Sequence, residues 1–227
     1  MLIVTSAKIR RSIQKKMTET YPDLTFSFHE SMEEAEEALP RADVLITYGE
    51  DLTEKHIERA KQLKWIMVMS AGFEKMPFQA IKEKDILVTN VRGIHKIPMA
   101  EYTIGMMIQT EKNVKMWHDN ERNHIWSRDM KMGEITGKTV AILGAGAIGG
   151  EIARLARAFR MKTLGLNRSG VPADHFDEMY IRSQVNECVG QADYVVAVLP
   201  YTEQTKHFIG REQFQAMKED AVFINIG

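Results

Sequence analysis

The chain has 227 residues, of which 44% are hydrophobic and 27% are charged, a composition typical of a folded globular protein rather than a disordered one. Its 30 basic and 31 acidic side chains give a net charge of −1, which predicts no nucleic-acid partner and no anionic membrane partner. No apolar run reaches the roughly 20 residues that span a bilayer. The single cysteine, Cys188, excludes an internal disulfide, and no metal site is predicted. We therefore expect a soluble, cytoplasmic protein.

In the first part of the chain, short apolar runs alternate with longer amphipathic stretches. The strands predicted here are Leu2–Thr5, Leu24–Phe28, Val44–Thr47, Trp65–Val68 and Leu87–Asn90. Ser31 and Thr53 are predicted to cap two of the intervening helices. Nearly continuous apolar strands that alternate with helices are typical of a parallel sheet covered on both faces.

The segment Gly93–Pro98 combines glycine and proline and is a predicted hinge, so we place the domain boundary between residues 97 and 98. A long apolar helix is predicted from Pro98 to about Trp117. The second part then repeats the alternation of strands and helices. Its predicted strands are Thr139–Leu143, Thr163–Leu166, Met179–Ile181, Tyr194–Leu199 and Val222–Ile226. The expected fold class is α/β, with two lobes formed by residues 1–97 and 98–227.

A glycine pattern follows the predicted strand Thr139–Leu143 and leads into a helical pattern. Gly144, Gly146 and Gly149 form the motif G-x-G-x-x-G, in which the first glycine makes a tight turn, the second lets the backbone approach a pyrophosphate and the third allows close packing of the helix. The helix start offers N–H groups and a positive dipole end to phosphates. The alternative is a turn without a ligand. The residues predicted to hold the pyrophosphate are Gly144, Gly146, Ala147 and Ile148.

The end of the next predicted strand favours one type of dinucleotide. Enzymes that use NAD have an acidic residue there to bind the ribose hydroxyls, whereas this chain has Asn167, Arg168 and Ser169. A guanidinium binds a phosphate through charge-assisted hydrogen bonds, and no carboxylate is present to repel one. We therefore predict that these three residues hold the adenosine ribose and its 2′-phosphate, and that NADP is preferred over NAD. The alternative is that Arg168 is a solvated loop charge.

Several segments resemble those of the D-isomer-specific 2-hydroxyacid dehydrogenase family, which includes glyoxylate/hydroxypyruvate reductases and phosphoglycerate dehydrogenases. The resemblance covers nearly the whole chain and includes the glycine pattern. The other matching segments are MSAGFE at residues 69–74, NVRGIH at 90–95, PMAEY at 98–102, TGKT at 136–139, DYVV at 193–196, LPYT at 199–202, and MK to NIG at 217–227.

Membership of this family implies a flavodoxin-like substrate domain and a Rossmann-like NAD(P)-binding domain, with the cofactor in the cleft between them and a homodimer built around the long helix. It implies hydride transfer between the nicotinamide and the C2 carbon of a small 2-oxo acid. The resemblance also assigns substrate binding to the backbone of Ser70, Ala71 and Gly72. Arg92 follows a predicted strand and is a further substrate-binding candidate or an inter-lobe salt-bridge residue.

The resemblance assigns further contacts to the second lobe and none of the catalytic residues. Leu199 and Pro200 are expected to line the cofactor pocket, and Ile226 and Gly227 to offer backbone near the nicotinamide. The family's catalytic arginine follows the segment that corresponds to 225–227, and its glutamate and histidine lie further downstream. We therefore expect a fragment of a longer enzyme, with an incomplete cofactor domain and no turnover of its own.

The sequence thus predicts an NADP-preferring D-2-hydroxyacid dehydrogenase that reduces glyoxylate or hydroxypyruvate. One alternative is a phosphoglycerate dehydrogenase. Another is a non-catalytic dinucleotide-sensing regulator of the same fold, in which the downstream histidine and glutamate would be replaced.

Overall fold

The structure is a computed structural model that describes residues 1–70 and 76–227, and the chain divides into two compact units, Met1–Arg92 and Gly93–Gly227. In the first unit, five strands form a parallel sheet in the order β2-β1-β3-β4-β5. These strands are β1 (Leu2–Thr5), β2 (Thr25–Ser27), β3 (Val44–Thr47), β4 (Trp65–Val68) and β5 (Leu87–Asn90). The strand order reverses direction between β1 and β3, as in flavodoxin-like proteins.

Four short helices accompany this sheet within the described residues: α1 (Arg11–Thr20), α2 (Met32–Ala35), α3 (Glu54–Arg59) and α4 (Phe78–Glu83). The Ser31 hydroxyl accepts a hydrogen bond from Glu34 N, so its predicted helix-capping role is confirmed. Ile57 of α3 and Ile81 of α4 pack with Leu45 and Ile66 of the sheet in one buried apolar cluster. This burial of apolar side chains on the strands holds the unit together.

The second unit contains a second parallel sheet, in the order β10-β9-β6-β7-β8. Its strands are β6 (Thr139–Leu143), β7 (Lys162–Leu166), β8 (Glu178–Tyr180), β9 (Tyr194–Ala197) and β10 (Val222–Asn225). The first strand lies in the centre and the order reverses between β6 and β9, which is the Rossmann arrangement. The predicted α/β class with two parallel sheets is confirmed.

The helices of the second unit are α5 (Lys96–Glu111), α6 (Val114–Arg122), α7 (Ala147–Ala158), α8 (Val185–Gly190) and α9 (Arg211–Ala216). The single helix predicted from Pro98 to Trp117 is wrong, because Asn113 adopts a left-handed conformation with φ of +49° and separates α5 from α6. The Glu111 carboxylate at the end of α5 accepts hydrogen bonds from Lys138 and from the Tyr194 hydroxyl.

Apolar strand residues pack on both faces of the second sheet. Ile142 and Val196 lie in one buried cluster with Ile152 of α7. Leu143 and Val195 lie in another with Cys188 of α8. Cys188 is fully buried, as predicted, and burial raises the pKa of its thiol to about 12. Across residues 1–70 and 76–227, no helix combines the length and apolar character that crossing a membrane requires.

Four strands of the second sheet differ from their predicted bounds, and β7 begins at Lys162 instead of Thr163. The run Tyr194–Leu199 leaves the sheet after Ala197, and β10 ends at Asn225 instead of Ile226. The fourth, β8, lies one residue earlier than predicted. Val198 and Leu199 line a cavity at the end of the sheet. Their apolar side chains extend the apolar run of β9, so the sequence alone does not show where the strand ends.

Candidate functional site

The glycine turn, residues 144–149, connects β6 to α7. Gly144 has a φ of +114°, and a Cβ at this position would lie 2.4 Å from the Val198 carbonyl oxygen. A Cβ at Gly149 would lie 2.1 Å from the Gly144 carbonyl oxygen, on the first turn of α7. Both distances are far below a van der Waals contact, so packing within the protein requires glycine at these two positions.

Gly146 has a different environment from its two neighbours in the motif. It is exposed, it precedes the first residue of α7, and a Cβ added there would have no atom of residues 1–70 or 76–227 within 4 Å apart from its local backbone. Among the described residues, no side chain caps this end of α7, whose first-turn N–H groups have no acceptor four residues earlier in the helix. The space that a side chain would fill lies beside free donors and the positive end of a helix dipole, which fits a pyrophosphate.

The glycine turn is tied to the end of β7. The N–H groups of Gly144 and Ala145 both donate to the Leu166 carbonyl, at 3.0 and 3.1 Å. Val198 N donates to Leu143 O at 2.9 Å and links the end of β9 to the same point. The carboxyl ends of three neighbouring strands therefore meet around the turn.

The Asn167 loop, residues 167–171, follows β7. The Asn167 side-chain oxygen accepts from Ser169 N at 3.0 Å and from Gly170 N at 2.6 Å, and its amide nitrogen donates to Val171 O. Both polar atoms of this side chain are thus used to shape the loop. Direct contact of Asn167 with the ribose stays a prediction. Arg168 and Ser169 are exposed on the Asn167 loop.

A cavity of about 440 Å³, which we call the turn cavity, lies at this edge of the sheet. Six residues predicted from the sequence line it: Gly144, Gly146, Asn167, Arg168, Leu199 and Pro200. Ala147 and Ile148 lie at the start of α7, and Ser169 lies on the Asn167 loop, but none of the three lines the cavity. Gly227 lines a smaller cavity of about 240 Å³ that Leu199 and Pro200 also line, and Ile226 lines neither.

About half of the residues in the wall of the turn cavity were not predicted from the sequence. The missed residues are Ala145, Leu166, Arg182, Val198, Gln204, Thr205 and Phe208. The position of Arg182 could have been found, because it comes just after β8, the parallel neighbour of β7, and parallel strands end at the same edge. Gln204, Thr205 and Phe208 lie in a loop after β9, whose path carries no comparable sequence signal.

Two guanidinium groups, those of Arg168 and Arg182, line the turn cavity. Within residues 1–70 and 76–227, neither forms an ion pair with a carboxylate. None of the described residues that line the cavity is acidic. The site therefore carries an excess of positive charge that an anionic ligand would neutralise.

The residues predicted to bind substrate belong to the first unit. Ser70 follows β4, and its hydroxyl lies 3.4 Å from the Tyr48 carbonyl oxygen. Ala71 and Gly72 lie outside the described residues. Arg92 is exposed and follows β5, so Ser70 and Arg92 come after neighbouring parallel strands. Among the described residues there is no cluster of three or more His, Cys, Asp or Glu side chains that could hold a metal ion.

Comparison with known proteins places the chain in a family. Residues 104–227 match the family model described as "D-isomer specific 2-hydroxyacid dehydrogenase, NAD binding domain". Over 197 residues, 85% of this chain, the sequence is 32% identical to a D-3-phosphoglycerate dehydrogenase of Methanocaldococcus jannaschii. Over 205 residues, 88% of the chain, it is 28% identical to a hydroxypyruvate reductase of Thermotoga maritima.

The structure also resembles a crystal structure of a D-isomer specific 2-hydroxyacid dehydrogenase family protein from Aeromonas salmonicida. The TM-score is 0.86 at 26% identity, with 100% of this chain and 72% of the other chain covered. The matched region spans 37% of the length of the phosphoglycerate dehydrogenase and 65% of the length of the hydroxypyruvate reductase.

Proposed function

The chain belongs to the D-isomer specific 2-hydroxyacid dehydrogenase family, and we propose that the protein transfers a hydride between NADP(H) and the C2 carbon of a small 2-oxo or 2-hydroxy acid. The match to an NAD binding domain supports a nicotinamide dinucleotide as the cofactor. The observation that carries the proposal is the turn cavity, where Gly146 has open space beside a helix N-terminus and the wall has two guanidinium groups that form no ion pair with a described carboxylate.

Different residues of the second unit bind different parts of the cofactor. The backbone of Gly144, Gly146, Ala147 and Ile148 binds the pyrophosphate through N–H groups at the start of α7. Arg168 and Ser169 bind the adenosine ribose and its phosphate, on a loop that Asn167 shapes. Leu199 and Pro200 line the pocket, and Ile226 and Gly227 offer backbone towards the nicotinamide. When bound, the nicotinamide supplies or accepts the hydride.

The preference for NADP rests on the end of β7. An acidic residue at this position would bind ribose hydroxyls and repel a 2′-phosphate, whereas here Arg168 lines the cavity without a carboxylate partner among the described residues. Charge-assisted hydrogen bonds from a guanidinium to a phosphate are among the stronger polar contacts in proteins.

Nucleotide binding tests the proposal directly, because the proposed cofactor site lies within residues 144–227. We would titrate the chain with NADPH and NADH by calorimetry. The proposal predicts that both bind and that NADPH binds more tightly. Replacement of Arg168 with alanine should weaken NADPH about tenfold and leave NADH nearly unchanged. Equal affinities that are insensitive to Arg168 would contradict the NADP assignment, and no binding of either would contradict the function.

On the substrate side, we propose that the backbone of Ser70, Ala71 and Gly72, with Arg92, holds the carboxylate of a short 2-oxo acid such as glyoxylate or hydroxypyruvate. A guanidinium and backbone N–H groups are both suited to a carboxylate. Replacing Arg92 with alanine should raise the KM for glyoxylate of the active protein without changing the Kd for NADPH. An unchanged KM would remove Arg92 from the proposed site.

A second candidate reaction is the oxidation of 3-phosphoglycerate. The 32% identity to a D-3-phosphoglycerate dehydrogenase favours it. The two candidates are separated by assaying NADPH oxidation with glyoxylate and hydroxypyruvate against NAD⁺ reduction with 3-phosphoglycerate.

We also propose a cytoplasmic homodimer. The single cysteine is buried, which suits a reducing compartment. Large apolar side chains are exposed on α5, on α6 and just after it, with Trp126 82% exposed, and a second copy would cover such a surface. The exposed residues in this set are Ile97, Tyr102, Met116, Trp117, Ile125 and Trp126. Light scattering that gives a monomer mass at micromolar concentration would contradict the dimer.

A further inference from the structure

The sequence alone predicts a single cation, Arg168, at the nucleotide, but the structure brings a second one to the same wall. Arg182 begins the short 3-10 turn Arg182–Gln184 just after β8. Because β8 is the parallel neighbour of β7, the two arginines leave adjacent strands at the same edge of the sheet. A neighbouring cavity of about 720 Å³ lies beside the turn cavity, and both are lined by Arg168, Arg182 and Phe208.

The guanidinium of Arg182 is held in place by two contacts. Its Cζ atom lies 4.9 Å from the centre of the Phe208 ring, and its Nη1 atom donates to the Gln204 carbonyl. An exposed arginine loses side-chain entropy when it binds a ligand, and these contacts fix the group before the ligand arrives. Only one N–H of the guanidinium is used by the carbonyl in this arrangement, so further donors remain for a ligand.

The charges that face Arg182 leave it without a carboxylate partner. Glu212 and His207 line the neighbouring cavity, but Glu212 accepts a hydrogen bond from the Asn186 amide at 2.6 Å and forms no ion pair with Arg168 or Arg182. The side chain of Asn167 is used by its own loop. The strongest donors towards the shared wall of the two cavities are therefore the two arginines.

We propose that Arg182 is a second specificity-determining residue for the cofactor, and that it forms with Arg168 a two-arginine clamp for the phosphate on the adenosine ribose. This inference rests on the proposed function, since it concerns how that site selects NADP. Arg182, which follows β8, makes the second charged contact with the phosphate, and Asn167 shapes the loop that holds Arg168. Phe208 is a positioning residue, because it acts through the orientation of Arg182.

The test compares nucleotides that differ only by the 2′-phosphate. We would measure the Kd of NADPH, NADH, 2′,5′-ADP and 5′-AMP for the chain and for Arg182→Ala, Arg182→Lys and Arg168→Ala. Arg182→Ala should weaken NADPH and 2′,5′-ADP about tenfold, with NADH and 5′-AMP changed less than about threefold. The Kd of Arg182→Lys for NADPH should lie between those of the unmodified chain and Arg182→Ala, because lysine keeps the charge but lacks the planar guanidinium. Arg211→Ala, an exposed arginine on α9, is the matched control and should change nothing.

A purely structural role of Arg182 would give a different pattern. Arg182→Ala would then weaken all four nucleotides to the same extent and lower the melting temperature, which would overturn the clamp. A chain that binds NADPH more tightly than NADH through Arg168 alone would also overturn it, while leaving the proposed function intact. If the unmodified chain bound no dinucleotide, both proposals would fall together.

Discussion

The two units contain parallel sheets of five strands, yet the residues after the first strand differ in kind. In the first unit, Ser6 and Ala7 follow β1 and are buried, with 4% and 1% of their surface exposed. Ser6 N donates to Ile46 O, and the Thr5 hydroxyl donates to His29 O, so protein groups occupy this point. In the second unit, Gly146 and Ala147 lie where the glycine turn leads into α7 and are exposed.

This difference shows that topology alone does not make a nucleotide site. Both sheets have a point at which the strand order reverses, where α/β proteins place their ligands. In the second unit Gly146 leaves room beside the N-terminus of α7, whereas in the first the residues after β1, Ser6 and Ala7, are buried. Substitutions at the glycine turn and at the buried residues after β1 should show which positions affect stability and which affect nucleotide binding.

The largest effect is expected from Gly149→Ala. The added Cβ would lie 2.1 Å from a backbone oxygen and 3.1 Å from Ile142, so the strand and α7 must move apart. We expect a loss of about 1–3 kcal/mol in the free energy of unfolding and a melting temperature lower by several degrees. Thermal denaturation followed by circular dichroism measures this, and an unchanged transition would contradict the packing of the glycine turn.

Gly146→Ala should affect binding and leave folding intact. The added Cβ meets no protein atom, but it fills space assigned to the pyrophosphate. We expect the Kd for NADPH to rise about tenfold or more, with an unchanged melting temperature of the free chain.

The control for this variant is Gly150→Ala, in the helix α7, where a Cβ also has nothing within 4 Å. It should stabilise the chain by about 0.5–1 kcal/mol and leave the Kd unchanged. Equal effects of both variants on binding would show that Gly146 has no special place in the site.

In each sheet, an aspartate directly before one strand accepts a hydrogen bond from the backbone of the neighbouring strand. Asp43, before β3, accepts from Leu2 N at 2.8 Å. Asp193, before β9, accepts from Thr139 N at 2.7 Å. Burial opposes ionisation of Asp193, but the hydrogen bonds from Lys218 and Thr139 outweigh it and hold its pKa below the usual 3.8. The hydrogen bond from Leu2 lowers the pKa of Asp43.

A lowered folded-state pKa stabilises the protein above the unfolded pKa, and that stability is lost as the pH falls through the folded value. Asp193→Asn should therefore reduce stability by about 1 kcal/mol at pH 7, and the difference from the unmodified chain should shrink as the pH falls below the unfolded pKa of about 3.9. Asp43→Asn should show the same pH dependence. Urea titrations between pH 2 and 7 measure it, and a difference that does not shrink below pH 4 would contradict the ionic origin.

The smallest effect is expected from Ser6→Ala at the closed position. The Ser6 hydroxyl is buried and has no hydrogen-bond partner among the described residues, so its removal should be neutral or slightly stabilising. It should not change the Kd for NADPH. A clear loss of stability in urea denaturation would show that this hydroxyl has a partner.

The parts of the site formed by backbone were predictable from the sequence, since the glycine turn needs three glycines at fixed spacing and the strands are short apolar runs. Side-chain geometry was not. The left-handed Asn113 that separates α5 from α6 breaks an otherwise continuous helical pattern, and the internal hydrogen bonds of Asn167 depend on the loop around it. Arg182 is distant from Arg168 in the sequence and reaches the same wall only through the pairing of β7 with β8.

The proposed function requires that the phosphates of a dinucleotide lie on the backbone between β6 and α7. Amide hydrogen exchange of the chain with and without saturating NADPH detects this contact, because those N–H groups have no acceptor within the helix. We expect slower exchange at residues 146–149 when NADPH is bound. Unchanged exchange at these amides, under conditions where calorimetry shows NADPH bound, would contradict it.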